Sequence, residues 1–262
     1  MTNGGEMSIW AQRTTALGSI AGLLLLWWIA TGPAGWVDTT RFPPPSDFLE
    51  SLRQITFGNY AGGDLAKHAW TSTSLVVRGF AIATVLGLSL GLTVSLSPFW
   101  RDFLMPVFNF VRPVPPLAWI PLALLWFGLG DVSKLFMIGM AASIPLVINT
   151  ATGVEQIDRT LLAAARVSGA SGFIWLWHVI LPGAMPHIVI GLRLAMQTSW
   201  TVIVAAELLG AIWGIGKVLT AGKDDVYPGM ILVGMVTVAV LGMVSTYLLT
   251  WLERWLMPWN RR

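Results

Sequence analysis

Leu161-Leu-Ala-Ala-Ala-Arg-Val-Ser-Gly-Ala-Ser-Gly-Phe-Ile-Trp-Leu-Trp-His-Val-Ile-Leu-Pro182 lies between long apolar runs, yet it makes a poor membrane span. Asp158 and Arg159 precede it, Arg166 sits in its first half, Gly169 and Gly172 break its middle, and Pro182 closes it. The alanine-rich opening favours helix. Gly169-Ala-Ser-Gly172 then reads as a turn, with Ser171 placed to cap a second short helix running through Trp177. Two short helices joined by a glycine turn and held against a bilayer have the form of a docking surface.

The surroundings of this polar island are those of a membrane protein. Of 262 residues, 55% are apolar and 11% charged, with a mean hydropathy of +0.70. A soluble domain carries about 25% charged residues. The charges are unevenly spread and leave several apolar runs of about 20 residues, each long enough to cross the hydrocarbon. The net charge is +3, but the basic residues are scattered and flank the spans, which points to anchoring at membrane surfaces and not to nucleic acid. With no cysteine, disulfides and thiolate metal sites are excluded. Trp27, Trp28, Trp100, Trp213, Trp251, Trp255 and Trp259 fall at expected span ends, as an interfacial belt requires.

Outward from the island, the pattern predicts six spans. The first is Leu17 to Thr31, short enough to resemble a signal peptide but followed by Gly32-Pro33 instead of a small-residue cleavage site, and therefore read as retained. The second covers Thr71 to Leu96, where Gly87 and Gly91 supply a small-xxx-small face for close helix contact. The third, Phe103 to Gly130, is broken by Pro106, Arg112, Pro113, Pro115, Pro116 and Pro121, and is expected to kink and unwind where protein or water can satisfy the freed backbone. Leu135 to Thr152 is the fourth, Pro186 to Ala211 the fifth and Val226 to Trp251 the sixth. Between the first two, Phe42-Pro-Pro-Pro45 is a stiff extended piece. It leads into a short amphipathic helix carrying Phe48, Leu49, Leu52 and Ile55, expected to lie flat on the outer surface. The chain divides into an N-terminal segment (1–70), a core of five spans with a loop at 154–182 (71–252) and a short tail (253–262).

Charge barely decides the orientation. Arg13, Arg101, Arg159, Arg166, Arg254, Arg261 and Arg262 fall on the island's side. Arg41, Arg53, Lys67, Lys134, Lys217 and Lys223 fall on the other, with Arg78 near that end of the second span.

Motifs for catalysis are missing. Gly216-Lys217 is the nearest approach to a nucleotide-binding loop, but Ala211 and Val218 stand where its glycine and hydroxyl residues are needed. His68, His178 and His187 lack ligand spacing and read as interfacial polar residues. No catalytic or metal-ligating residue is therefore assigned.

What remains is polar chemistry inside spans, where an ionisable group must face protein or water and find a partner. Arg112, with Pro115, Pro116 and Trp119 in the broken third span, either lines an anion pathway, since guanidinium suits oxyanions bidentately, or bonds the carbonyls the prolines release. In the fifth span Arg193 reads as an edge anchor and Glu207 as a structural or pathway carboxylate. Thr198, Ser199, Trp200 and Thr201 serve either pore lining or helix packing.

The island also carries a family signature. Ala163-Ala-Ala-Arg-Val-Ser-Gly169, nine intervening residues, then Val179-Ile-Leu-Pro182 resembles the cytoplasmic loop of bacterial ABC-importer permeases, which reads Glu-Ala-Ala, three residues, Gly, nine residues, Ile, any residue, Leu-Pro. Ala163 stands in place of the Glu and Val179 in place of the Ile. Phe42-Pro-Pro-Pro-Ser46, Arg112-Pro-Val-Pro-Pro-Leu-Ala-Trp-Ile-Pro121, Trp126-Phe-Gly128, Gly191-Leu-Arg193 and Val204-Ala-Ala-Glu207 resemble the nitrate, sulfonate, taurine and bicarbonate branch, the proline-rich segment most of all its taurine and nitrate permeases.

The resemblance implies an all-α membrane protein with six transmembrane helices in the type I ABC importer permease fold. It would lie in the bacterial cytoplasmic membrane with both termini inside. It implies a homodimer, two cytoplasmic ATP-binding subunits that hold ATP and Mg, an extracytoplasmic substrate-binding protein, and no cofactor in this chain. Within the island it implies a coupling helix seated on the ATPase. Ala163, Ala164, Ala165, Arg166, Ser168, Gly169, Ala170 and Ser171 would be the contact, with Leu181 and Pro182 the hinge into the fifth span. A channel or ion-coupled carrier working without an ATPase is the competing class, and no inverted repeat or cluster of membrane carboxylates supports it.

Overall fold

The computed structural model describes residues 9–39 and 41–257. Those residues are nearly all helical, with one isolated bridge between Tyr60 and Gly63. The helices are α1 (Ile9–Thr31), α2 (Pro45–Phe57), α3 (Leu65–Leu96), α4 (Pro98–Val111), α5 (Ile120–Phe127), α6 (Asp131–Glu155), α7 (Arg159–Val167), α8 (Gly172–Trp175), α9 (Leu181–Leu208), α10 (Ile215–Asp224) and α11 (Pro228–Leu256). Four helical segments are long and apolar enough to cross a membrane: Leu65–Leu96, Asp131–Glu155, Gly172–Leu208 and Pro228–Trp255. The broken third span makes a fifth. The apolar part of α1, Leu17–Thr31, is shorter. The outermost basic residues of the expected tail, Arg261 and Arg262, and the first eight residues lie outside the described part.

Small residues determine how the centre packs. Gly79, Ala83, Gly87 and Gly91 recur every fourth residue and are all buried along one stripe of α3. The stripe lies on α6 so closely that a Cβ at Gly79 would stand 2.6 Å from Ile138 Cγ2, and one at Gly91 2.6 Å from Thr150 Cβ. On the other side of α6, a Cβ at Gly153 would stand 2.8 Å from His187 Cβ of α9. Lipid supplies no hydrophobic drive between helices, so this close backbone approach provides the van der Waals contact that holds α3, α6 and α9 together. Leu75, Ile138, Leu146, Ala195 and Ile203 fill the centre.

The third span is broken as the prolines require. α4 ends at Val111, a 3-10 turn runs from Pro116 to Trp119, and α5 follows at 89° to α4. Pro113, Pro115 and Pro116 have no N–H to continue the helix. The freed carbonyls of Val111 and Pro115 accept instead from Val114 and Ala118, at 3.1 and 2.9 Å.

One expectation is refined and one is corrected. α2 does not stand clear of the bundle: Ser51 and Ile55 are fully buried, and Ile55 packs with Val218, Met230 and Val233 of α10 and α11, leaving Leu49 exposed. Nor does Pro182 end a helix. The segment Gly172–Leu208 is one continuous helix, passing from α8 to α9 through a π turn at 176–180 in which the Leu181 N–H bonds the Leu176 carbonyl. The wide turn takes up the register change just before a residue that has no N–H to donate. Leu181 and Pro182 therefore lie within a continuous helix, with no break at the expected hinge.

Candidate coupling loop and translocation groove

α7 begins at a defined cap. Asp158 accepts from the Thr160 N–H at 2.8 Å and from its hydroxyl. These bonds hold the Asp158 carboxyl below its ordinary pKa. The C-terminal end of α7 is equally specified. Gly169 has φ +82°, its N–H bonds the Arg166 carbonyl and the Ala170 N–H bonds that of Ala165, both at 3.0 Å. This paired closure on a left-handed residue favours glycine strongly. Ser171 occupies the N-cap position of α8 without a side-chain bond, and Gly172 is again left-handed at +55°.

The loop is seated from one side only. Leu162, Trp175, Leu176 and Leu181 pack on Val154, Ile157, Ile180, Ala184 and Ile188 at the ends of α6 and α9. Facing away are Leu161, Ala163, Ala164, Arg166 and Ser168, with Val167 90% exposed, and beyond the turn Ser171, Phe173, Ile174 and Trp177. Ala165 and Ala170 are half-buried. Most of the coupling residues expected from the sequence thus share one outward surface, and Val167, Phe173 and Trp177 enlarge its apolar part. Beside it, Arg101 of α4 pairs with Glu155 of α6 at 3.2 Å, tying the third and fourth spans at the end that carries the loop.

The pathway residues expected from the sequence separate into three environments. Arg112, at the C-cap of α4, is exposed and has no hydrogen-bonding or charged side-chain partner among the described residues. Pro115 is exposed, Pro116 is half-buried, and Trp119 packs on the central cluster that also holds Trp200. The hydroxyls of Thr198 and Ser199 bond back to the Leu194 and Ala195 carbonyls, both at 2.8 Å, and Ser199 is fully buried. Trp200 donates to Ser245 Oγ at 3.2 Å. Beside Trp200 a groove of about 620 Å³ opens between α9 and α11, walled by Arg193, Gln197 and Thr201 on one side and Val238, Gly242 and Thr246 on the other. Gln197 was not among the pathway residues expected from the sequence; its i, i+4 spacing from Arg193 and Thr201 is the signal that could have found this polar face. At its end Arg193 forms an ion pair with Glu253 of α11.

Glu207 stands apart from both the groove and the break. It is 1% exposed, accepts from Ser72 Oγ at 2.8 and 2.9 Å, and accepts from the Gly216 N–H at 2.9 Å. Ser72 Oγ in turn accepts from the Ile215 N–H at 2.9 Å, and His68 Nδ1 from the Gly214 N–H at 3.1 Å. Three consecutive amides at the start of α10, which a helix leaves without internal partners, are thus satisfied by side chains of α3 and α9. His68 is fully buried in this cap. Because Nδ1 accepts, Nε2 carries the proton and donates to the Tyr60 carbonyl at 3.0 Å.

A bundle of apolar helices with small-residue contacts, a span broken by prolines and a specified two-helix loop projecting from one end defines an all-α membrane permease. The chain belongs to the family described as binding-protein-dependent transport system inner membrane component, whose model matches residues 83–262. The taurine transport system permease protein TauC of Escherichia coli (strain K12) is 34% identical over 251 residues, covering 95% of this chain and 90% of its own. The bicarbonate transport system permease protein CmpB of Synechococcus elongatus is 34% identical over 260 residues, covering 95% and 92%. A chain of the inward-facing MetNI methionine ABC transporter has the same fold, with a TM-score of 0.61 at 21% identity over 76% of this chain and 96% of that one.

Proposed function

We propose that this chain is the transmembrane subunit of an ATP-driven importer for a small oxyanion, working as a pair with a second copy, two ATP-binding subunits and an extracytoplasmic binding protein. ATP and Mg belong to the partner subunits, and this chain contributes no catalytic residue. The observation that carries the reading is the α7–turn–α8 knob, closed by Gly169 and packed on the ends of α6 and α9 while its other face stays open. A nucleotide-driven closure of the partner transmits force through such a contact only if the knob cannot deform. The Asp158 cap and the double closure on Gly169 give it that stiffness.

The continuity of α8 with α9 matters here. Displacement of the knob moves the whole of Gly172–Leu208 as one lever, where a break at Pro182 would absorb it. The lever reaches from the loop to the buried cap of α10, so both ends of the bundle respond together. Loaded receptor on one side and ATP on the other are then reciprocally linked.

The substrate class rests on the named relatives and on an exposed guanidinium, Arg112, at the break of the third span, which has no side-chain partner among the described residues. Taurine or another sulfonate comes first, then nitrate and bicarbonate. The experiment is to place Ala164→Glu and Gly169→Pro in the reconstituted complex. Both proteins should insert, while ATP hydrolysis no longer drives uptake. Stimulated ATPase activity and uptake that survive both changes would refute the coupling role.

A further inference from the structure

The ion pair at the end of the α9–α11 groove has more to do than join two helices. Among the residues that line the groove, Arg193 alone is charged, and Gln197 and Thr201 follow it along α9 with Thr246 opposite. Beneath the pair the wall is apolar, made by Val189, Leu192, Leu249 and Leu252. The two partners are not equivalent. Arg193 keeps 42% of its side chain exposed and Glu253 22%, so the carboxylate is the enclosed member and the guanidinium the one that reaches open space. Glu253 Oε2 takes a bond from Arg193 Nη2. A guanidinium offers five donors in a planar fork, so most of the fork remains. The Gln197 side-chain amide has no hydrogen-bond partner among the described residues.

Resting on the import reading above, we infer that Arg193 and Gln197 form a binding site for a small oxyanion in this groove, with Glu253 as the resident counter-ion that the anion displaces. The physical need for such a counter-ion is direct. A carrier site stands empty for part of every cycle, and a bare guanidinium against an apolar wall is costly. A carboxylate on the neighbouring helix neutralises the empty site. A sulfonate, nitrate or bicarbonate then replaces one anion with another of the same charge and fork geometry. The exchange also keeps affinity low enough for release, which transport through a membrane requires. The Thr201 and Thr246 hydroxyls, bonded back to Gln197 and Gly242 carbonyls at 3.1 and 2.9 Å, present oxygen lone pairs, so the strong donors of the groove are concentrated at its Arg193 end.

The test separates a binding role from a merely structural pair. Arg193→Gln and Glu253→Gln break the same ion pair, so a structural role predicts equal losses. The inferred site predicts an asymmetry. In the reconstituted complex, with its ATPase and binding protein, Arg193→Gln should raise the anion concentration needed for half-maximal uptake by about tenfold or more, the loss of a charge-assisted contact, while Glu253→Gln, which removes the competing carboxylate, should lower it by about threefold or more. The double exchange Arg193→Glu with Glu253→Arg restores the pair and should leave assembly intact, but should not restore uptake, because the anion now meets a carboxylate. Equal losses in the two single variants, failure of both to assemble, or uptake restored by the exchange would each overturn the inference. These outcomes stand apart from failure of the import reading itself, in which the unaltered complex would show no ATP-dependent anion uptake.

Discussion

Replacing Glu207 with Ala should loosen the end of the bundle formed by α3, α9 and α10, and the size of the effect follows from the bonds lost. The carboxylate accepts from Ser72 Oγ and from the Gly216 N–H at 2.8–2.9 Å, in a site 1% exposed. Hydrogen bonds to a charged group contribute about 1.5–3 kcal/mol each, and a buried donor left alone costs about 1–3 kcal/mol. Two such bonds total about 3–6 kcal/mol; the gain from no longer burying a carboxylate offsets part of this. The net expectation is a loss of about 2–4 kcal/mol. Glu207→Gln is the informative partner. Its amide oxygen still accepts from Gly216, and its NH₂ donates to Ser72 Oγ, which has a second lone pair beside the one used by Ile215. The Ser72 hydroxyl hydrogen turns to its own helix, every group is satisfied, and the loss falls to about 1 kcal/mol. Detergent-induced unfolding followed by tryptophan fluorescence gives the order, and hydrogen exchange at Gly214, Ile215 and Gly216 gives the location. An Ala variant as stable as the parent with those amides still protected, or a Gln variant as damaged as Ala, would refute the capping argument.

Other expectations can be checked in the same preparations. Gly79→Ala forces a methyl group against Ile138 and should cost about 1–3 kcal/mol; Gly22→Ala in α1, with open space around it, should stay within about 0.5 kcal/mol by the same unfolding assay. Arg112→Ala should abolish uptake while leaving assembly, measured by size-exclusion chromatography, intact; loss of assembly would make Arg112 structural. Tyr60, held protonated by burial and by its bond to Asp225 at 2.7 Å, has its pKa raised, so in an alkaline absorbance titration one tyrosine should ionise late, and that late step should be missing from Tyr60→Phe. Its contribution to stability is constant below about pH 10, where the unfolded chain's tyrosine ionises, and is lost as pH rises beyond that; Tyr60→Phe should remove this part of the alkaline loss.

Much of the bundle was legible because membrane packing writes itself in small residues. Gly87 and Gly91 marked the tight face of α3, and the same four-residue step extends it to Ala83 and Gly79. The prolines around Arg112 marked the break, and Gly169 and Gly172 marked the turn, since each is a local constraint on the backbone. Pro182 misled for an equally physical reason: a proline ends a helix unless the preceding turn widens, and no local residue pattern announces a π turn. The cap of α10 was hidden because its members are distant in the chain; Ser72 and Glu207 are 135 residues apart. Thr198 and Ser199 suited pore lining and helix packing equally in the sequence, because a hydroxyl inside a helix can satisfy itself on the carbonyl four residues back, as both do. Arg193, Gln197 and Thr201 were readable as one face, yet the opposing Gly242 and Thr246 that turn the face into a groove come from α11.

The central claim is that this permease moves its anion only when a separate ATPase drives it. The direct measurement is anion uptake into proteoliposomes containing the purified chain, with and without its ATP-binding subunits, binding protein and ATP. The account predicts uptake only in the complete, ATP-supplied system. Uptake by the chain alone, or driven by an ion gradient without ATP, would contradict it.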